Sequence, residues 1–132
     1  MDASERTERL RLADGFRRSA DDNLSESGLR AALSRSYYSV FHLGCILLGK
    51  GYGNHDQFLK DLRSALGSGD GLWQKVERLQ ELRIQADYRF DAARRIYDDD
   101  LKRFREEAFK GLELGLETYN ELMQRIGQEE RK

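Results

Sequence analysis

Apolar residues recur every three or four positions along almost the whole chain, a spacing that predicts helices. Leu10, Ala13, Phe16, Ala20 and Leu24 share one face of a first helix over about 5–23. A second helix, about 27–50, carries a stripe of Leu29, Ala32, Leu33, Ser36, Tyr37, Val40, Phe41, Gly44, Leu47 and Leu48. Ala31, Arg35, Tyr38, His42 and Cys45 fall on its opposite side. A helix that is apolar or aromatic on two sides is central, or sits at an interface. The second face has no evident cover within one subunit, which predicts a homodimer closed by a two-fold axis.

A short third helix, about 55–66, turns Phe58, Leu62 and Ala65 inward. Asn54 precedes it as a cap, and Gln57 stands where a capping-box partner would reach back. Asp70 caps a fourth helix over about 72–88. In it Val76, Leu79, Arg83, Ala86 and Phe90 keep a strict alternation of three and four, so Arg83 takes a slot that faces the core. Asp91–Tyr97 reads as a connection, with a continuation of the helix as the alternative. Asp98, Asp99 and Asp100 then open the last helix, where acids suit the positive end of the dipole. Leu101, Phe104, Ala108, Leu112, Gly115, Leu116, Tyr119, Leu122, Met123 and Ile126 form its apolar stripe. The whole reads as one all-α domain over residues 1–132, an up-down bundle of four long helices and one short.

Composition adjusts this picture only in places. Proline is absent, so nothing interrupts long helices, and several of the 12 glycines cluster between the periodic segments. The net charge of -1 excludes binding to nucleic acid through a general basic excess, so any RNA contact must rest on a local site. The first ten residues are charged and carry no apolar run of signal-peptide length. No stretch reaches the ~18 apolar residues of a membrane span. Cys45 is the only cysteine, so no internal disulfide forms. Together these predict a cytoplasmic protein that does not engage a membrane. Ser39 and Tyr52, three residues before His42 and His55, are not the glutamates of a carboxylate-bridged metal bundle. With no Walker loop or dinucleotide fingerprint, neither a metal nor a cofactor is expected.

Arg83 is the most informative residue. A guanidinium on a core-facing slot is costly unless it is paired. Asp87, one turn later, offers an internal clamp. The alternative is an arginine that faces a cleft and binds phosphate through its planar fork. Arg35, Tyr38 and His42 share one helix face, either as a polar seam or as groups converging on a ligand. His55 reads as a surface residue beside a cap, and Cys45 as a small buried hydrophobe.

The segment Ala31-Ala32-Leu33-Ser34-Arg35-Ser36-Tyr37-Tyr38-Ser39-Val40-Phe41-His42 closely resembles the Ala-x-Ser-Arg-x-Tyr-Tyr-x-x-Phe-His helix of one branch of the HEPN family. Some forty residues on, Arg83-Ile84-Gln85-Ala86-Asp87-Tyr88 resembles that branch's Arg-x-x-Ala-Asp-Tyr segment. The resemblance covers nearly the whole chain. It implies a HEPN-like helical bundle that dimerises and often partners a minimal nucleotidyltransferase. It also implies a component of a prokaryotic toxin–antitoxin or defence module acting on RNA or a nucleotide.

Many members of the family are metal-independent ribonucleases with an Arg-x(4–6)-His motif, in which arginine holds the phosphate and histidine moves the proton of the 2′-hydroxyl. Here Tyr88 occupies the histidine slot after Arg83, and tyrosine is a poor base at neutral pH. The expected catalytic set is therefore Arg83, His42 and Tyr88, with His42 as proton carrier. Arg35, Tyr38 and Asp87 are the expected binding residues. The alternative is a non-catalytic subunit that holds a nucleotide or a protein partner.

Overall fold

Five helices follow one another along the chain: α1 (Ala3–Ala20), α2 (Glu26–Leu48), α3 (His55–Leu66), α4 (Gly71–Ala93) and α5 (Asp98–Glu130). The computed structural model describes residues 1–20, 26–93 and 98–131; the side chains at 26–27, 87–93, 98–101 and 104 lie outside the described set. No strand occurs among the described residues. None of their helices is long and apolar enough to cross a membrane.

Helix α2 is central because it is apolar almost all round. Leu29, Leu33, Tyr37, Val40 and Phe41 are buried on one side, and Ser39, Leu43 and Cys45 on others. Helices α1, α4 and α5 pack along it, and α3 lies against α4 and α2. The main core joins Tyr37, Val40, Phe41, Phe58, Leu62, Val76, Leu79 and Leu122. A smaller cluster of Leu29, Leu33, Ala86 and Ala108 sits apart from it.

The caps follow the chemistry of the sequence. Asp2 accepts from the Glu5 N–H at 2.7 Å, and Asn54 from the Gln57 N–H at 3.1 Å. Asp70 accepts from the Leu72 N–H at 2.9 Å and also receives Arg125 from α5 at 2.9 Å. Gly49 ends α2 at φ 77, with its N–H on Cys45 O at 2.8 Å.

Four expectations need correction. The reciprocal half of the α3 capping box does not form, because the Gln57 amide turns instead to Asp61 at 2.8 Å. Ala65 is exposed rather than inward. Helix α4 runs past the expected end at Tyr88 to Ala93, so the helical alternative holds for the first part of Asp91–Tyr97; residues 94–97 lie outside the described set.

The fourth correction concerns α5. Its inner face is made by Ala108, Gly111, Gly115, Thr118, Leu122 and Ile126, all buried. Leu116 and Met123, one position on from inner residues, rotate by about 100° and are exposed at 49% and 39%. The expected stripe merged these two faces.

Small residues set how closely the helices approach. A methyl group at Gly115 would overlap Ser36 Oγ, and one at Gly111 would meet Leu33 at 2.7 Å. On α2, a methyl at Gly44 would lie 2.5 Å from Phe58 Cζ and 2.7 Å from Cε1. The Phe58 ring is fully buried, so either the ring or the helix must shift to admit the methyl. Gly44→Ala should therefore lower stability by about 1–3 kcal/mol in urea unfolding. Adding Phe58→Leu to Gly44→Ala should recover part of that loss. An unchanged midpoint for Gly44→Ala would contradict the close approach.

Candidate anion site at Arg83

Arg83 projects from α4 toward α2 and is partly buried. Its guanidinium carbon lies 5.1 Å from the ring centre of Tyr37 and 5.4 Å from that of Tyr38. Its Nε–H donates to Gln80 Oε1, one turn earlier on α4, at 3.0 Å. Among the described residues, then, the arginine is held by two aromatic rings and a neutral amide. Cation–π contacts of this kind contribute about 0.5–2 kcal/mol and do not neutralise the charge. The expected clamp to Asp87 lies outside the described side chains, as does that of Tyr88.

The histidine joined to this cluster is His55, at the start of α3. Its Nδ1 shares a hydrogen bond of 2.7 Å with the Tyr37 hydroxyl. Its ring packs at 4.8 Å on Phe41, 5.4 Å on Tyr37 and 5.9 Å on Tyr38. It is therefore a partly buried member of an aromatic cluster, not a surface residue beside a cap. Burial raises the Tyr37 phenol far above its ordinary range, against the opposing pull of Arg83. The phenol thus stays protonated. Its hydroxyl can donate to His55 Nδ1, with the imidazole proton on Nε2, or accept from Nδ1–H, with Nε2 left as the lone pair. Burial lowers the His55 pKa, Arg83 lowers it further, and neighbouring Asp56 acts the other way.

His42 belongs to a different corner. Its ring stacks on Phe16 of α1, with centres 5.9 Å apart and planes 5° apart. Arg9 Nη1 lies 3.0 Å from its Nδ1. A guanidinium only donates, so Nδ1 accepts and the ring proton sits on Nε2. Burial, then Arg9, lowers its pKa. Arg35, on the same face, donates from Nη1 to Ser19 O at the end of α1, at 3.2 Å. Cys45 is fully buried, which pushes its thiol pKa up to about 11.

The second face of α2 is therefore covered by α1 within one subunit. That removes the observation from which a dimer along this face was expected. Of the expected site residues, Arg83 and Tyr38 come together, whereas Arg35 and His42 face α1. Among the described residues no contact joins His42 to Arg83.

Sequence reasoning missed His55, Tyr37 and Gln80 as members of the site. Gln80 had a readable signal, since it stands three residues before Arg83 on one helix face. His55 had none, because only the packing of α3 carries it to a residue 18 positions away.

Both histidines resist protonation in the fold. The unfolded chain takes up protons near pH 6.5 while the folded protein does not, so stability should hold above that pH and fall as pH drops below it. Melting temperatures between pH 7.5 and 5 should show this decline. His42→Gln combined with His55→Gln should flatten it, and an equally steep decline in that variant would contradict the assignment.

Comparison with protein-family models, with curated proteins and with solved structures finds no match to the chain, so the site stands on its geometry alone.

Proposed function

We propose that the chain is a HEPN-type component of a cytoplasmic toxin–antitoxin or defence module that binds the phosphate of RNA or a nucleotide at Arg83. The observation that carries this reading is the guanidinium held over Tyr37 and Tyr38 beside His55. The described contacts of Arg83, two rings and an amide, orient the cation without cancelling it, and in this reading His55 Nε2–H is a second donor. An oriented, partly desolvated cation with a neighbouring N–H suits a phosphate oxygen better than a neutral ligand. The chain's near-neutral overall charge makes such a local site the main source of affinity. In this reading the protein is a homodimer whose partner is a minimal nucleotidyltransferase.

A second reading, metal-independent cleavage of RNA, is favoured by the neutral state of His55 near Arg83. It requires the His55 proton to pass from Nε2 to Nδ1, which frees Nε2 as a base. Nε2 would then take the 2′-hydroxyl proton as the 2′-oxygen attacks phosphorus, the bond to the 5′-oxygen would break, and the leaving oxygen would take that proton back from Nε2. His55 replaces His42 as proton carrier here, because Arg9 occupies the His42 lone pair.

Short single-stranded RNA and a nucleoside triphosphate serve as probes, each with excess EDTA. Wild type should bind at least one of them. Arg83→Ala should weaken binding about 10- to 150-fold, the equivalent of a charge-assisted hydrogen bond, and His42→Ala should leave it unchanged. Equal binding by wild type and Arg83→Ala would refute the site. EDTA-resistant cleavage that falls about a hundredfold or more in His55→Ala, but not in His42→Ala, would select the catalytic reading.

A further inference from the structure

A cleft of about 200 Å³ lies where α5 meets α1 and α2, and it shares no lining residue with the Arg83 cluster. Leu112 and Gly115 of α5 wall it, and the exposed side chains of Phe109 and Leu116 form its lip. Its two charged lining residues have opposite sign. Arg17 of α1 lies 3.6 Å from Asp14 and over the face of Tyr119, and Glu113 belongs to α5. The lining charge therefore sums to zero, which favours neither an anion nor a cation.

Two serines of α2 also line the cleft, and their hydroxyls differ. Ser39 is 1% exposed and its hydroxyl donates to Ser36 O at 2.8 Å. Ser36 is 5% exposed, and its own hydroxyl makes no hydrogen bond among the described residues. A methyl group at Gly115 would overlap the Ser36 hydroxyl, so Oγ lies on the α5 side of α2, at the cleft. Among the described residues no side-chain N or O is both unpaired and shut off from solvent. The Ser36 hydroxyl is therefore reached through the cleft. A hydroxyl in an apolar recess is costly unless something bonds to it, and the protein supplies no group that does.

We propose that this cleft binds a small neutral molecule, a single ring bearing one hydroxyl. A dry cavity of roughly 150 Å³ admits a benzene ring. About 200 Å³ thus admits a ring with one polar substituent. The ring packs on Leu112 between Phe109 and Leu116, and its hydroxyl pairs with Ser36 Oγ, which can both donate and accept. Water would satisfy the serine but leave the carbon wall wet; a phenol or ring alcohol does both. Gly115 makes the contact possible, since a side chain there would take the place of the Ser36 hydroxyl.

Phenol and toluene are the probes, followed by proton–carbon NMR of the Leu112 and Leu116 methyl groups. Phenol should shift both, with saturable binding on the order of millimolar. Ser36→Ala should weaken phenol about 3- to 10-fold, the equivalent of one neutral hydrogen bond, and should not weaken toluene. Leu116→Trp changes only the exposed lip. It should block both probes, read at Leu112, with unchanged helical circular dichroism. Arg83→Ala should bind phenol as the wild type does, which keeps this site separate from the anion site. Absence of a saturable shift well above millimolar phenol would overturn the proposal. So would a Ser36→Ala variant that binds phenol undiminished or loses both probes equally, a Leu116→Trp variant that still binds, or loss of phenol in Arg83→Ala.

Discussion

The need to cover α2 on every side governs the rest of the structure. A helix with buried residues around most of its circumference is stable only when other helices exclude water from each face. Helix α1 takes the face bearing Arg35, His42 and Cys45, α5 takes the face bearing Leu33 and Ser36, and α4 shares the side bearing Tyr37. Close cover requires small residues at the crossings. Gly111 and Gly115 let α5 approach the α2 side chains, and Gly44 admits the Phe58 ring of α3. The polar groups that burial encloses are then satisfied locally, as in the Ser39 hydroxyl on Ser36 O at 2.8 Å and the Thr118 hydroxyl on Leu114 O at 2.6 Å.

That arrangement decides which polar residues act together. Polar side chains on α2 are sorted by the helix that covers them. Those under α1 find fixed partners: Arg35 a helix-end carbonyl, and His42 a guanidinium and a stacked ring. Tyr37 and Tyr38 turn toward α4 and the start of α3, where Arg83 and His55 arrive. The two histidines thus have similar chemistry, both lowered in pKa and both occupied at Nδ1, but each answers to a different guanidinium, His42 to Arg9 and His55 to Arg83.

The helices themselves were legible in the sequence because a 3.6-residue period survives in nearly every segment. The starts of α3 and α4 were legible because Asn54 and Asp70 are capping residues in the right place. The far end of α4 was not. No proline or glycine marks its stop, and helix propensity carries it past Tyr88. In α5 the period was visible but its phase was ambiguous, since apolar residues occupy two adjacent rows and only packing distinguishes the inner one. Arg83 stood out because it broke an apolar pattern. His55 did not, because a contact between α2 and α3 depends on their packing angle, which local periodicity does not encode.

The way Arg83 is held bears on what the site can do. An arginine clamped to a carboxylate is electrostatically spent, and an incoming anion must displace or oppose that partner. The tyrosine rings add no counter-charge of their own and take rotational freedom from the guanidinium, whereas the Asp87 carboxylate lies outside the described side chains. The rings also remove water from one side of the guanidinium, which strengthens its field toward the open side. Tyr37 is suited to this task because burial holds its phenol neutral; an ionised phenolate would become the counter-ion itself. The hydrogen bond between Tyr37 and His55 extends the same arrangement by one residue, since it holds the imidazole ring in place against the phenol. Among the described contacts the cluster thus joins one guanidinium, two phenol rings and an imidazole, with the Asp56 carboxylate acting on His55 from the next position along the chain.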